Sequence, residues 1–192
     1  MRKLFCASWV VAFLSVATPP ANAAEMRELT VDWQDEIYSI LAIADLDAPI
    51  DAVRRVLVDV EHYHWITGAI RESTLLDRQD ATEVTIYTRM EACFGPFCKE
   101  VEQVQRVNFS ERNVIRLTSL PQYSDVKFGE SFWQLEALDD GRTRITWSLQ
   151  MEPDFWVPPL IGPALVRSGL REEGRDTIRG IEILANKPPY SR

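Results

Sequence analysis

Two cysteines flank a Gly-Pro pair in the middle of the chain, in the segment CFGPFC that runs from Cys93 to Cys98. Gly95-Pro96 between two strand-like runs predicts the tip of a hairpin. In such a hairpin the residues whose numbers sum to 191 face each other. Cys93 then lies opposite Cys98, at a separation that a disulfide can bridge. The spacing differs from the C-x-x-C of redox motifs, so a structural disulfide is favoured over a redox pair.

The other ionisable side chains form no recognisable catalytic or metal-binding pattern. The two histidines, His62 and His64, do not share a helix face, and no cysteine or carboxylate cluster completes a metal site with them. The sequence contains no G-x-S-x-G, P-loop or Gly-rich dinucleotide motif. The charged segments 32–36 and 171–176 are interpreted as solvent-exposed faces. The sequence therefore predicts no catalytic residue, no metal and no cofactor.

The first 23 residues have the features of a secretory signal peptide. Arg2 and Lys3 precede an apolar run over residues 4–16, and an A-x-A pattern ends at Ala23. The run is shorter than the about 20 residues of a membrane span. Cleavage after Ala23 and export to the periplasm are therefore predicted, with an uncleaved N-terminal anchor as the alternative. Lipid attachment at Cys6 is disfavoured because this cysteine precedes most of the apolar run.

The remaining residues, 24–192, are predicted to form a single acidic domain. Without Arg2 and Lys3 they carry 19 Lys and Arg against 29 Asp and Glu, a net charge of −10. That charge argues against nucleic acid or an anionic membrane as a partner. No later segment is long and apolar enough for a stable membrane span. The oligomeric state is left open.

The apolar periodicity predicts one strand, two short helices, six strands and a long helix. Residues 36–46 form the first strand, and Ala48-Pro49 opens a helix whose apolar residues recur at helical spacing. Residues 62–66 form a second short helix or turn. The six following strands, separated by turn signals, cover residues 70–77, 82–92, 97–109, 113–120, 128–138 and 142–151.

The last helix, at about residues 161–185, is amphipathic. Leu170, Ile178 and Ile181 mark its apolar stripe, and Gly174 is a small residue on the same stripe. Successive strands with helices segregated from them predict an antiparallel sheet of the α+β class. A sheet that curls around the long helix covers the stripe, which is a helix-grip fold.

This order of elements resembles the START-like (SRPBCC) superfamily, especially its polyketide cyclase/dehydrase and coenzyme Q-binding branch. The matching segments are APIDAV at 48–53, YHW at 63–65, GRTRITW at 141–147 and FWVPPL at 155–160. The resemblance implies a curved antiparallel sheet around a long C-terminal helix, with a cavity between them. It does not identify a ligand, because the members range from lipid carriers to cyclases and hydrolases.

Strand alternation predicts which side chains face that cavity. On the last strand, Trp147 and Leu149 alternate with polar residues and are placed inside. In the central hairpin the charged face is assigned to solvent, although Gln103 and Gln105 bordering solvent is an equal alternative. For the two strand tryptophans, core packing is the favoured interpretation and contact with a ligand is the alternative. The predicted cavity-lining set is Trp65, Ile86, Thr88, Met90, Gln103, Gln105, Trp133, Trp147, Leu149, Trp156 and Gly174, with Trp65 and Trp156 at the mouth.

Three functions are compatible with these features. Periplasmic binding or carriage of a hydrophobic small molecule or lipid is favoured. A cyclase, dehydratase or hydrolase that uses the same cavity is the second, and a protein-interaction module without a functional cavity is the third. A buried carboxylate or histidine among the inward-facing residues would favour the enzyme. The predicted set contains neither.

Overall fold

The computed structural model describes residues 24–94, 97–157 and 162–191, so the predicted signal segment lies outside the described residues. Within them, one antiparallel sheet has the strand order β1-β2-β8-β7-β6-β5-β4-β3. The strands are β1 Glu25–Gln34, β2 Ile37–Leu46, β3 Ile70–Arg78, β4 Glu83–Phe94, β5 Phe97–Asn108, β6 Val114–Ser119, β7 Val126–Ala137 and β8 Thr143–Pro153.

Two α-helices accompany the sheet, α1 at Ile50–Val58 and α2 at Gly162–Ala185. A 3-10 segment, Val60–Trp65, follows α1, and a shorter one, Pro121–Tyr123, precedes β7. Helix α2 contacts β1 and β2 at one end of the strand order and β4 near the other. Because one helix touches both ends, the sheet must curve around it. The predicted α+β helix-grip fold is confirmed.

Strand β1 is absent from the sequence prediction, which interpreted residues 32–36 as a solvated acidic face. Its outer side chains are charged, and only Leu29 and Val31 turn inward in clear alternation. The turn to β2 places Asp35 and Glu36 at φ of 52° and 68°. Two-residue hairpin turns need positive φ but usually signal it with Asn or Gly. An edge strand with one buried face and an atypical turn therefore escapes pattern recognition.

The central hairpin, in contrast, has the predicted register. Met90 pairs with Val101, and Cys93 pairs with Cys98 at the tip. The two cysteines form a disulfide, with their Cα atoms 4.0 Å apart. The period of two along each strand then fixes which face of β4 and β5 turns toward α2.

A buried carboxylate joins three neighbouring strands on the outer side of the sheet. The Asp45 side chain of β2 is only 1% exposed. It accepts hydrogen bonds from Arg144 Nε of β8 at 2.7 Å and from Arg27 Nε of β1 at 2.9 Å. The Arg144 hydrogen bond, and then that from Arg27, lower the pKa of Asp45 against the opposing effect of burial. The ion pairs tie the edge strand β1 to the sheet.

Candidate ligand-binding cavity

A partly open space of about 170 Å³, here called the inner chamber, lies between the sheet and α2. Its walls are mainly apolar and come from both halves of the sheet. Trp133 of β7 and Trp147 of β8 stack in its wall, with parallel rings whose centroids are 4.7 Å apart. Cross-strand pairing brings these two residues directly opposite each other. The stacked pair presents a rigid aromatic surface to the chamber.

A few polar groups interrupt this apolar wall. Ser119 Oγ donates a hydrogen bond to Gln103 Oε1 at 2.8 Å, and both residues are buried. Thr88 Oγ1 makes a longer contact with Gln105 Oε1, at 3.5 Å. The indole nitrogen of Trp147 donates to Ser131 Oγ at 2.9 Å. The chamber thus combines apolar walls with a small number of fixed hydrogen-bonding groups, as ligand pockets do.

A second, wider space of about 540 Å³, here called the vestibule, adjoins the chamber near the disulfide-bonded hairpin tip. Four side chains line both spaces: Met90, Met151, Leu170 and Glu173. Three of them are flexible apolar side chains that can move aside at little cost. These four residues, here called the neck, therefore lie at the boundary between the vestibule and the inner chamber.

Glu173 in this neck corrects the prediction that segment 171–176 is only a solvated face. It is partly buried, and its Oε1 accepts a hydrogen bond from Thr177 Oγ1 at 3.3 Å. Burial raises the pKa of Glu173, and the hydroxyls of Thr67 and Thr177 act in the opposite direction. The cavity thus contains the carboxyl group that the predicted inner set lacked.

Glu173 could have been found from helix spacing. Leu170, Glu173 and Thr177 lie three and four residues apart and share one helix face. The prediction instead relied on the apolar stripe through Gly174 and Ile178, which lies next to this face. Sequence reasoning also missed Tyr63, whose hydroxyl donates to the Leu57 carbonyl at 2.7 Å in the chamber wall. Burial raises the pKa of Tyr63, so it remains a neutral donor.

The structure brings seven of the eleven predicted lining residues to the inner chamber: Thr88, Met90, Gln103, Gln105, Trp133, Trp147 and Leu149. The other four lie elsewhere. Ile86 is fully buried in the hydrophobic core rather than at the cavity surface. Gly174 faces β1, where an added Cβ would lie 3.2 Å from Leu29 Cδ1. The structure places Gly174 against β1 and beside Trp147, because the unpredicted strand β1 occupies the space next to this part of α2.

The two tryptophans predicted at the mouth lie outside both spaces. Trp65 is 49% exposed and packs on the ring of His62, with centroids 4.0 Å apart. Trp156 is 79% exposed and lines, together with Trp33, a surface groove that shares Pro153 and Phe155 with the vestibule. Connections carry no periodicity, so the sequence offered no way to orient these rings.

Neither histidine belongs to a metal site in the part of the chain that the structure describes. His62 Nδ1 lies 2.7 Å from Asp59 Oδ1 on the surface of the 3-10 segment. Across the described ranges, the single grouping of three possible metal ligands is Glu91, Cys93 and Cys98. The disulfide removes both thiolates from that grouping, because a metal ligand must be a free thiolate. In the same residues, no helix is both long and apolar enough to cross a membrane.

Comparison with known proteins places this fold among solved structures. The aromatase/cyclase Zhui from Streptomyces sp. R1128 is similar at 14% identity and a TM-score of 0.66, over 78% of this chain and 94% of that one. A STAR-related lipid transfer protein from Xanthomonas axonopodis is similar at 16% identity and a TM-score of 0.62, over 83% and 99%. A START superfamily protein from Mycobacterium smegmatis is similar at 17% identity and a TM-score of 0.61, over 76% of this chain and 98% of that one. At these identities the likeness shows the fold.

No curated protein matches the sequence significantly. A family model, in contrast, matches residues 42–182, which covers most of the chain from β2 to the end of α2. The matched range includes every residue of the neck and all seven predicted side chains that line the inner chamber. The chain therefore belongs to the family described as polyketide cyclase / dehydrase and lipid transport.

Proposed function

We propose that this protein binds a hydrophobic small molecule or lipid in the inner chamber and vestibule. The observation that carries the proposal is an apolar chamber next to α2 whose wall is a stacked tryptophan pair. A stable domain normally fills its interior to near crystal density, so an open space of this size is unusual without a ligand. Membership of a family that includes lipid transport supports the same conclusion.

The volumes bear on how a ligand would fit. The inner chamber, at about 170 Å³, is smaller than the about 300–1,000 Å³ of pockets for drug-sized ligands. The vestibule adds about 540 Å³ on the other side of the neck. A ligand of ordinary size would therefore insert one end into the chamber and leave the rest between α2 and the β4–β5 hairpin.

Filling the chamber tests this proposal. Leu149→Trp places a larger side chain in the chamber wall, whereas Leu76→Trp makes the same change at an exposed position of β3. Isothermal titration calorimetry with naphthalene derivatives should show binding to the parent and to Leu76→Trp, and at least tenfold weaker binding to Leu149→Trp. The thermal stability of Leu149→Trp should change little, because the larger side chain enters open space. In a filled core the same overpacking would cost about 1–3 kcal/mol.

Two outcomes would contradict the proposal. One is that no apolar probe binds the parent and native mass spectrometry of the purified protein finds no retained molecule. The other is a large stability loss in Leu149→Trp, which would indicate a packed core instead of an accessible chamber. Either result would favour the third function, a protein-interaction module without a functional cavity.

Glu173 favours a second candidate function, an enzyme of the cyclase or dehydratase type. Burial raises the pKa of this carboxyl, and such a group can donate a proton to a bound carbonyl or hydroxyl oxygen. The other ionisable group in the chamber wall, Tyr63, already donates to the Leu57 carbonyl. An acid without a paired base supports binding more than catalysis. If the enzyme is correct, Glu173→Gln should bind the retained molecule as tightly as the parent but fail to convert it.

We also propose that the protein is exported and acts in the periplasm. The charged start, apolar run and A-x-A ending of residues 1–23 support this location. A disulfide at the tip of the β4–β5 hairpin is typical of proteins in an oxidising compartment. Fractionation followed by intact-mass measurement should find a chain that begins at Ala24. Recovery of the full-length chain from the cytosol would refute the proposal.

A further inference from the structure

The charges around the cavity restrict what can enter it. Among the described residues that line the inner chamber, the one acidic side chain is Glu173, and no lysine, arginine or histidine is present. Among the described residues, the vestibule adds three acidic side chains, Glu91, Glu172 and Asp176, and one cationic side chain, Arg71. Arg71 is paired with Glu91. An anionic ligand would therefore pass several carboxylates and find no cation among the described side chains that line the inner chamber. The amino group of Lys99 lies 5.6 Å from the ring centroid of Phe155, at the vestibule and outside the inner chamber.

The chamber nevertheless offers hydrogen-bond donors. Gln103 and Gln105 engage their Oε1 atoms with Ser119 and Thr88, respectively. Within the described residues neither amide nitrogen donates to the protein, and neither is sealed away from open space. Each side-chain amide carries two N–H donors, so the pair can donate to an oxygen atom on a bound molecule. A ligand that covers these donors without supplying an acceptor would leave them buried and unpaired, which is costly, so a ligand with an acceptor is favoured.

The size of the chamber sets the third constraint. An apolar cavity of about 150 Å³ accommodates benzene, and the chamber measures about 170 Å³. The stacked rings of Trp133 and Trp147 give one wall a flat aromatic surface. A single ring can stack there with an oxygen substituent within reach of the amide pair.

We infer that the ligand is an uncharged apolar molecule that inserts an oxygen-bearing ring into the inner chamber, and that carboxylate ligands are rejected. This inference rests on the proposed function, since it specifies the ligand of the same cavity. A carboxylate would lose its hydration without gaining a cationic partner. A neutral hydroxyl or carbonyl group would lose less and would gain the amide donors.

Four matched probes separate the possibilities: naphthalene, naphthol, naphthoate and naphthylmethylammonium, titrated calorimetrically at neutral pH. Naphthol should bind at least about tenfold more tightly than naphthoate, and several-fold more tightly than naphthalene. If naphthoate or the ammonium probe binds as tightly as naphthol, the inference is wrong while the proposed function stands. If none of the four binds, the inference fails, and the proposed function fails with it when native mass spectrometry also finds no retained molecule.

Variants locate the effect within the cavity. Gln103→Leu and Gln105→Leu should each reduce the preference for naphthol over naphthalene by about 3- to 10-fold. Unchanged naphthalene affinity shows that the chamber of a variant is intact. If Gln103→Leu folds poorly, Gln105→Leu still tests the amide pair, because Gln105 is less buried than Gln103. Glu173→Lys should raise naphthoate affinity about tenfold or more, whereas Glu28→Lys, the same charge change on exposed β1, should not. An unchanged naphthol preference in both glutamine variants would overturn the role of the amide pair.

A second, independent observation concerns Glu182 on α2, a carboxylate that is 7% exposed. Its Oε1 accepts a hydrogen bond from the Asp47 backbone N–H at 2.8 Å. Its Oε2 accepts one from the backbone nitrogen of Ala24 at 2.7 Å. Among the described residues, no lysine, arginine or histidine forms an ion pair with Glu182. A buried carboxylate without a cation is destabilising, so a missing positive charge is expected next to it.

Ala24 is the residue that signal-peptide cleavage after Ala23 would leave at the start of the chain. We propose that Glu182 binds the α-ammonium group of a chain beginning at Ala24. Cleavage would convert an amide–carboxylate hydrogen bond at 2.7 Å into an ion pair between an ammonium group and a carboxylate. Processing would thereby fasten the start of β1 to α2 and strengthen the sheet edge that covers Gly174.

Two purified forms test this, one beginning at Ala24 and one beginning one residue earlier, at Ala23. The Ala24 form should have an unfolding equilibrium constant about tenfold smaller, and Glu182→Gln in both forms should abolish the difference. If Glu182→Gln does not fold, acylation of the α-amine near neutral pH gives a second measurement. The Ala24 form should react about tenfold more slowly, because its amine is held as the charged, paired ammonium. Equal stability and equal reactivity of the two forms would overturn the proposal.

Discussion

Replacing Gly180 with alanine should displace α2 from the loop that carries part of the chamber wall. The helix approaches the end of the 3-10 segment so closely at this position that a Cβ on Gly180 would lie 1.8 Å from the Ile66 carbonyl oxygen and 2.8 Å from its carbon. Ile66 itself lines the inner chamber. Backbone cannot rotate away as a side chain can, so the helix or the loop must move.

The size of the effect follows from two opposing contributions. Ordinary contact begins at 3.4 Å, so the separation must grow by about 1.5 Å. Overpacking of this kind costs about 1–3 kcal/mol, and the backbone overlap here favours the upper part of that range. Alanine is favoured over glycine in a helix by about 1 kcal/mol. The net loss should be about 1–2 kcal/mol, which lowers Tm by about 2–8 °C in a domain of this size.

Gly174→Ala is the matched control in the same helix. Its Cβ would lie 3.2 Å from Leu29 Cδ1 and 3.7 Å from Trp147 Cζ3, both side-chain atoms that can shift by a few tenths of an ångström. Helix propensity should then leave this variant neutral or more stable by up to about 1 kcal/mol. Urea denaturation of the two variants and the parent measures both effects. A Gly180→Ala variant as stable as Gly174→Ala would refute the close approach of α2 to Ile66.

Three further outcomes are expected. Cys93→Ser should retain the fold and lose at most about 2 kcal/mol in denaturation, because the loop closed by Cys98 is short; loss of the folded state on reduction would contradict this. Because burial raises the pKa of Glu173, its contribution to stability is complete below the ordinary pKa of 4.5 and is lost as pH rises through the pKa of the folded state. The stability of Glu173→Gln relative to the parent should therefore increase from acidic to mildly basic pH. Parallel pH profiles of Tm for the two proteins would contradict this. Asp45 shows the opposite pH dependence, because Arg144 lowers its pKa and its contribution to stability is lost as pH falls below the ordinary 3.8. Asp45→Asn should lower the free energy of unfolding by about 1–3 kcal/mol at neutral pH and by less in acid. A stability difference that does not change with pH would argue against the ion pair.

Local patterns in the sequence were sufficient for the order of the elements from β2 to α2 and for the central hairpin. Gly95-Pro96 marks one possible tip, and the period of two then pairs every residue of β4 with a residue of β5. The same alternation predicted that Trp147 and Leu149 face α2. These features depend on neighbours that are close in sequence or related by one turn, so a single chain contains the information.

Two features depended on contacts that only the folded chain provides. Strand β1 pairs with β2 through a turn at Asp35-Glu36 and is needed there because α2 packs against it. Glu173 looked solvated in a charged segment, yet the sheet curves far enough to enclose it beside Leu170 and Thr177. Burial and pKa are set by what surrounds a side chain, whereas periodicity reports only the direction in which it leaves the backbone. The sequence by itself therefore determined the helix-grip architecture from β2 to α2 and much of the apolar wall, and the tertiary structure decided where β1 lies and where the cavity is charged.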